Sequence, residues 1–267
     1  MPKRPDNYYR PDNLSDAWRL VQQPDTVPLG GGSKLLAGDI TSAVVDLQAL
    51  GLGQLRQMDG TLHVGAMTRL DEMGGYLAEY ETELAFVPLL QQAIQQAGPN
   101  TYRHAATMGG SVAARLADSE LLAVLLVLDT SVALFAGEAS SVSLADYLAA
   151  EERPFGLITH LDIPTASGRG SSARVARTPA DYPIVSVTGW QAADGSVRLA
   201  ATGIDKRPLR LHTAEAALAH GLTPDTIEAA AAAAHASSTH PGDFRGDASY
   251  RADMAAVLTR RVLNQLR

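Results

Sequence analysis

Two short glycine runs carry the residues whose types and spacing suit chemistry. The first is Leu29-Gly30-Gly31-Gly32-Ser33-Lys34-Leu35, an apolar approach into three glycines, a hydroxyl, a cation and an apolar exit. Three consecutive glycines cost backbone entropy, so they need a reason. One reason is a sharp turn whose N–H groups cradle an anion such as phosphate; the other is a plain tight turn between strand and helix. The second run is Thr107-Met108-Gly109-Gly110-Ser111, again with hydroxyls at both ends. Two such turns could clamp the two phosphates of a dinucleotide.

Other chemistry is poorly provided for. The 267 residues contain no cysteine, which removes disulfides, thiolate nucleophiles and cysteine-ligated clusters from this chain. The seven histidines are scattered, and His235 and His240 do not share a helical face, so no metal site is expected. Gly51-Leu52-Gly53 lacks the third glycine of a dinucleotide fingerprint, and Gly32-Ser33-Lys34 lacks the earlier glycine of a P-loop. No Gly-x-Ser-x-Gly elbow is present. Asp71-Glu72 and Glu151-Glu152 read as solvated acids. A net charge of −7 with few aromatics argues against nucleic-acid binding. No secretory signal and no apolar run of membrane-spanning length is read, so a cytoplasmic protein is expected.

The elements that would hold these runs can be read from periodicity. A helix capped by Asn13 or Ser15 runs to about Gln23 and is stopped by Pro24. Thr26–Leu29, Ala43–Leu47 and Thr61–Ala66 read as strands, and Thr68 as the cap of the next helix. A striped helix spans Glu83–Gln96. Asp118-Ser119-Glu120 opens a very apolar helix to Leu128, followed by strands at Ser131–Phe135 and Leu157–Pro164. Thr165–Ser172, rich in glycine and serine, reads as a linker. Beyond it, Ala173–Ala176, Ile184–Ala192 and Val197–Ala201 form an antiparallel sheet, with a turn at Ala193–Ser196. Helices follow near Thr213–His220, Pro224–His235 and Asp247–Leu266. This segregated order indicates an α+β fold, not a doubly wound sheet.

At these residues the chain resembles the FAD-binding medium subunit of the molybdenum hydroxylases, the flavoprotein of carbon monoxide dehydrogenase and xanthine dehydrogenase relatives. Leu29–Ser33 and Thr107–Ala113 resemble that family's two pyrophosphate loops. Val45-Asp46-Leu47, Val64–Thr68 and Ile158–Pro164 are similar to its connecting segments. Arg177–Pro183, Gly203–Arg210 and Tyr250-Arg251 leading into Leu258-Thr259-Arg260-Arg261 are similar to its C-terminal domain.

The resemblance implies a two-subdomain PCMH-type (vanillyl-alcohol-oxidase-like) FAD-binding fold, residues 1–55 and 56–166. A C-terminal domain of a three-stranded antiparallel sheet with three helices follows, residues 172–267. It implies FAD bound by Leu29, Gly30, Gly31, Gly32, Ser33, Lys34, Leu35, Thr68, Thr107, Gly109, Gly110 and Ser111. Glu120 would bind a ribityl or ribose hydroxyl, and the ring would lie near Ile158, Arg174 and Asp181. No residue of the chain itself is assigned as catalytic. The family pattern places molybdopterin on a large subunit and 2Fe-2S clusters on a small one. It implies a dimer of heterotrimers and NAD or quinone as acceptor. Two alternatives stay open. The first loop is also close to that of UDP-N-acetylenolpyruvylglucosamine reductase. Ser111 and Glu120 stand where Asn and Asp are usual, which leaves room for a scaffold subunit with weakened flavin binding.

Overall fold

A computed structural model describes residues 5–38, 43–80 and 84–267. The helix start expected at Glu83 and residues 1–4 lie outside these. The chain divides into two compact units, each assembled from separate stretches: Met1–Gly75, Pro99–Ala114 and Ser131–Ile163 form the first, and Tyr76–Gly98, Arg115–Thr130 and Pro164–Arg267 the second.

The first unit holds two sheets. In the smaller, Ala43–Asp46 lies between Tyr8–Tyr9 and Thr26–Leu29, parallel to both. Val44 and Val45 are fully buried, as a central parallel strand requires. The helix Leu14–Val21 precedes this sheet's second strand, and Asn13 caps it by accepting the Asp16 amide at 2.8 Å. The larger sheet has the order Leu55–Met58, Thr61–Gly65, Leu157–Pro164, Ser131–Phe135, Ala139–Ser143. Its first hairpin turns through Asp59 and Gly60, both at positive φ (51° and 73°). That is the two-residue Asp-Gly turn that matches strand twist, and it creates a strand, Leu55–Met58, that periodicity alone missed. The helix expected to be capped by Thr68 begins at Leu70. The Thr68 hydroxyl is buried without a partner and caps nothing.

The second unit is built on an antiparallel sheet of four strands rather than three: Leu209–Arg210, Val197–Thr202, Val185–Ala192 and Gly168–Val175, in that order. The stretch expected to be a linker supplies most of the last strand. The reason is Trp190, which is buried. A Cβ at Gly168 would lie 2.6 Å from its indole, and one at Gly170 would lie 3.2 Å away. These glycines make room for a ring and do not confer flexibility. The turn at Ala193–Ser196 forms as read, with Gly195 at φ 86° and Asp194 accepting the Ser196 amide. The helices Pro224–Ala236 and Ala248–Leu266 pack together, and their apolar residues share one core with the sheet, including Val187, Leu199, Ile227 and Leu263. The helix Glu120–Val127 is buried on every side, matching its unbroken apolar sequence. Among the described residues no helix is long and apolar enough to cross a membrane.

Candidate functional site: a glycine-lined cavity

Within the first unit the two glycine runs meet. Built on Gly31, a Cβ would fall 1.5 Å from the Ala105 carbonyl oxygen, and on Gly30 it would fall 3.0 Å from Thr107 Oγ1. Only bare backbone allows this approach. Gly32 adopts φ 72°, and its carbonyl accepts the Leu36 amide at 2.8 Å, closing the turn into the short helix Leu35–Ala37. Among the described residues, the amides of Gly30, Gly31, Gly32 and Ser33 donate to no protein acceptor. Lys34 stands with its ammonium 5.3 Å from the centre of the Tyr102 ring.

The second run is not a loop. It forms the first turn of the helix Met108–Ala114, and Thr107 acts as its cap, accepting the Gly110 amide at 3.1 Å. The strand exit Ala66–Leu70 is laced to it: Met108 donates to Thr68, Gly109 to Ala66, and Leu70 to Ala106. Ser111 turns its hydroxyl back to the Thr107 carbonyl at 2.9 Å. The amides of Gly109 and Gly110 and the hydroxyl of Ser111 are therefore committed within the protein. Gly109 is glycine because a Cβ there would press on Ala66 at 2.6 Å.

A cavity opens where the runs meet, enclosing about 620 Å³ with its open mouth included. Gly30, Thr107, Gly109, Gly110 and Ile158 line it. Leu29, Gly31 to Leu35, Thr68 and Ser111 do not line it. Sequence reasoning missed Tyr147, Arg153 and Gly156 in the lining. Arg153, followed by Pro154, was the available signal: a cation in a stiff loop next to the strand that carries Ile158. The residues fit a dinucleotide. Gly30, whose amide donates to no acceptor among the described residues, stands in the lining with the bare backbone of Gly109 and Gly110, and Arg153 lies there too.

The remaining three expected site residues lie in the second unit and meet there. Glu120 is 5% exposed, and its Oε2 is 3.5 Å from Arg174 Nη1. Arg174 also donates to the Asp181 backbone carbonyl. Burial pushes the Glu120 carboxyl up to about 7; Arg174 pulls it down and Asp118 adds to the rise. Its other oxygen, Oε1, is buried without a partner.

Residues 4–166 match the FAD binding domain in molybdopterin dehydrogenase, and residues 175–266 match the CO dehydrogenase flavoprotein C-terminal domain. The chain belongs to this flavoprotein family of the molybdopterin dehydrogenases. The carbon monoxide dehydrogenase medium chain of Afipia carboxidovorans is 26% identical over 284 residues, covering 97% of this chain and 96% of that one. The glyceraldehyde dehydrogenase medium chain of Sulfolobus acidocaldarius is 25% identical over 281 residues, covering 97% and 98%. A solved Cu,Mo-CO dehydrogenase in its cyanide-inactivated form contains a chain of the same fold. Its TM-score is 0.88 at 25% identity, over 100% of this chain and 99% of that one. The protein is thus an FAD-binding oxidoreductase subunit of the medium-chain type. The match over both halves sets aside the enolpyruvylglucosamine reductase reading.

Proposed function

We propose that this subunit passes electrons, delivered from 2Fe-2S clusters on a partner small subunit, to an external acceptor, NAD or quinone. A large subunit carrying molybdopterin would act on the substrate, in a dimer of heterotrimers in the cytoplasm. The division of the chain at 1–55, 56–166 and 172–267 goes with this reading. FAD supplies the redox chemistry when bound, and the protein supplies position and electrostatics. The Gly30–Ser33 amides would hold the pyrophosphate, with Lys34 and Arg153 offsetting its charge. Gly109 and Gly110 would serve as bare surface for close approach, not as donors. Thr107 would fix the helix turn that presents them, with Leu29, Leu35, Thr68 and Ser111 as the packing behind it. Glu120, Arg174 and Asp181 would form a second polar cluster for the flavin's hydroxyls and ring.

The observation that supports this most is the convergence of two glycine runs at one cavity, which Gly30, Gly109 and Gly110 line. The test is flavin content. The purified protein is expected to be yellow and to release FAD at one per chain on denaturation. Gly110→Val, whose Cβ would crowd Thr107 Oγ1 at 2.8 Å and intrude on the cavity, should lose the flavin while keeping its circular dichroism. A colourless chain that takes up no FAD, or a folded Gly110→Val chain with full flavin, would overturn the placement. Co-purification with molybdenum-bearing and iron–sulfur-bearing chains tests the proposed partners, and a chain that joins such a complex without flavin would be a scaffold.

A further inference from the structure

The larger sheet of the first unit brings together two histidines and an aspartate that sequence spacing gave no reason to group. His63 lies on Thr61–Gly65, and His160 and Asp162 lie two apart on the adjacent strand Leu157–Pro164. Residues two apart on a strand share a face, so both strands present ligands on the same side. His63 Nδ1 is 2.6 Å from Asp162 Oδ1, although the two residues are 99 positions apart in the chain. His160 Nε2 is 3.5 Å from the same oxygen. One ligand atom from each residue lies within 4.8 Å of the other two.

We propose that His63, His160 and Asp162 form a binding site for a divalent transition metal ion of the zinc type. The geometry needs little adjustment. Bonds of about 2.1 Å around a tetrahedral ion put its donors roughly 3.4 Å apart. His160 already stands at that spacing from Asp162, and His63 needs to retreat by under about 1 Å, exchanging its hydrogen bond for a shared ion. Two imidazoles with one carboxylate suit zinc, copper, nickel or iron(II) and not magnesium or calcium, which require oxygen donors. The three side chains are 33%, 42% and 25% exposed, enough for an ion to enter. The flanking positions in register are Ser131 beside Asp162 and Ala133 beside His160, both small. Arg56, across from His63, is the one cation in register with the group among the described residues; it is exposed, so solvent screens its charge. None of the three residues lines the glycine cavity, so the site stands apart from flavin binding.

The test uses the full chain without a polyhistidine tag, treated with chelator, its flavin content left as isolated. Zinc titrated calorimetrically should bind at one ion per chain. Affinity should fall at least about tenfold in His63→Ala, His160→Ala and Asp162→Asn, and should be unchanged in His212→Ala, a surface histidine elsewhere. Copper(II) bound to the unmutated chain should show two coordinated imidazoles by pulsed electron paramagnetic resonance. That readout decides the matter even where a variant folds poorly. No saturable zinc site, binding that survives in the His63→Ala/His160→Ala double variant, or a copper spectrum with fewer than two imidazoles would overturn the proposal. The trio would then be a carboxylate hydrogen-bonded to His63 with a second imidazole beside it.

Discussion

Glu120 shows two effects in competition at one residue. It opens a helix, where the macrodipole favours negative charge, and an arginine stands beside it. Burial nevertheless dominates and raises its carboxyl to about 7. The folded protein therefore keeps a proton across roughly pH 4.5 to 7 that the unfolded chain has already released. Stability from this group is complete below the unfolded value and is lost as pH rises through the folded one. Glu120→Gln should remove that decline, so its thermal midpoint gains on the parent as pH rises from 4.5 past 7. Parallel midpoint curves for the two proteins would refute the assignment. Arg251 is the opposite case, a buried cation each of whose nitrogens has a partner. It donates to the carbonyls of Ile184 and Gly203 at 2.7 Å each, to Gly246 at 3.1 Å and to Asp243 at 2.6 Å. Against the cost of burial, hydrogen bonds from the Arg245 amide and from the Arg251 and Arg245 side chains hold the Asp243 carboxyl well below the usual carboxylate range. Arg251→Met strands these acceptors and should cost about 3 kcal/mol in urea unfolding. Arg251→Lys should recover only part of it, because an ammonium lacks the fork geometry.

At the scale of elements, glycine was both the best signal and the main source of error. Gly30–Gly32 read as a turn and is one, with Gly32 at positive φ. Gly109-Gly110 read as a matching turn but opens a helix, because Thr107 caps it and Ala66 takes one of its amides. Gly168 and Gly170 read as linker because composition cannot distinguish freedom from a glycine that faces an indole. The Asp59-Gly60 hairpin went unread although its dipeptide is a hairpin signal. The His63–His160–Asp162 group was not, since only strand pairing brings it together. Gly189 makes the packing argument testable. A Cβ there would meet Val262 and Leu266 of the C-terminal helix at 2.6 and 2.9 Å. Gly189→Val should push that helix off the sheet and cost about 1–3 kcal/mol, measured as a lower urea midpoint with unchanged slope. Gly221→Ala, where nothing lies within 4 Å but φ is 92°, isolates backbone strain for comparison.

For the whole molecule, membership in the flavoprotein family was legible from motif pairs along the chain, whereas the partition into compact units was not. Helices Val87–Gln96 and Glu120–Val127 precede the last strands of the first unit in sequence yet belong to the second. Periodicity marks such helices but says nothing of which sheet they cover. A fragment ending near residue 166 therefore carries both helices without their core partners. It should be less soluble than the full chain, by sedimentation at matched concentration, even though it contains every glycine of the cavity.

The strand order of the larger sheet also bears on how the protein is made. Thr61–Gly65 leaves the ribosome before its neighbour Leu157–Pro164, which is more than ninety residues behind it. At the usual elongation rate of about 5–20 residues per second, the gap lasts roughly 5–20 s. During it the nascent chain displays a strand of alternating polar and apolar residues with one unpaired edge, the kind of surface that other chains can extend. The cavity wall that Ile158 completes cannot close until that neighbour arrives. On the proposed placement of FAD, flavin capture follows the synthesis of Leu157–Pro164. Ribosome-bound chains stalled before Leu157 should be protease-sensitive and bind no FAD, and chains stalled with Pro164 clear of the exit tunnel should begin to resist cleavage.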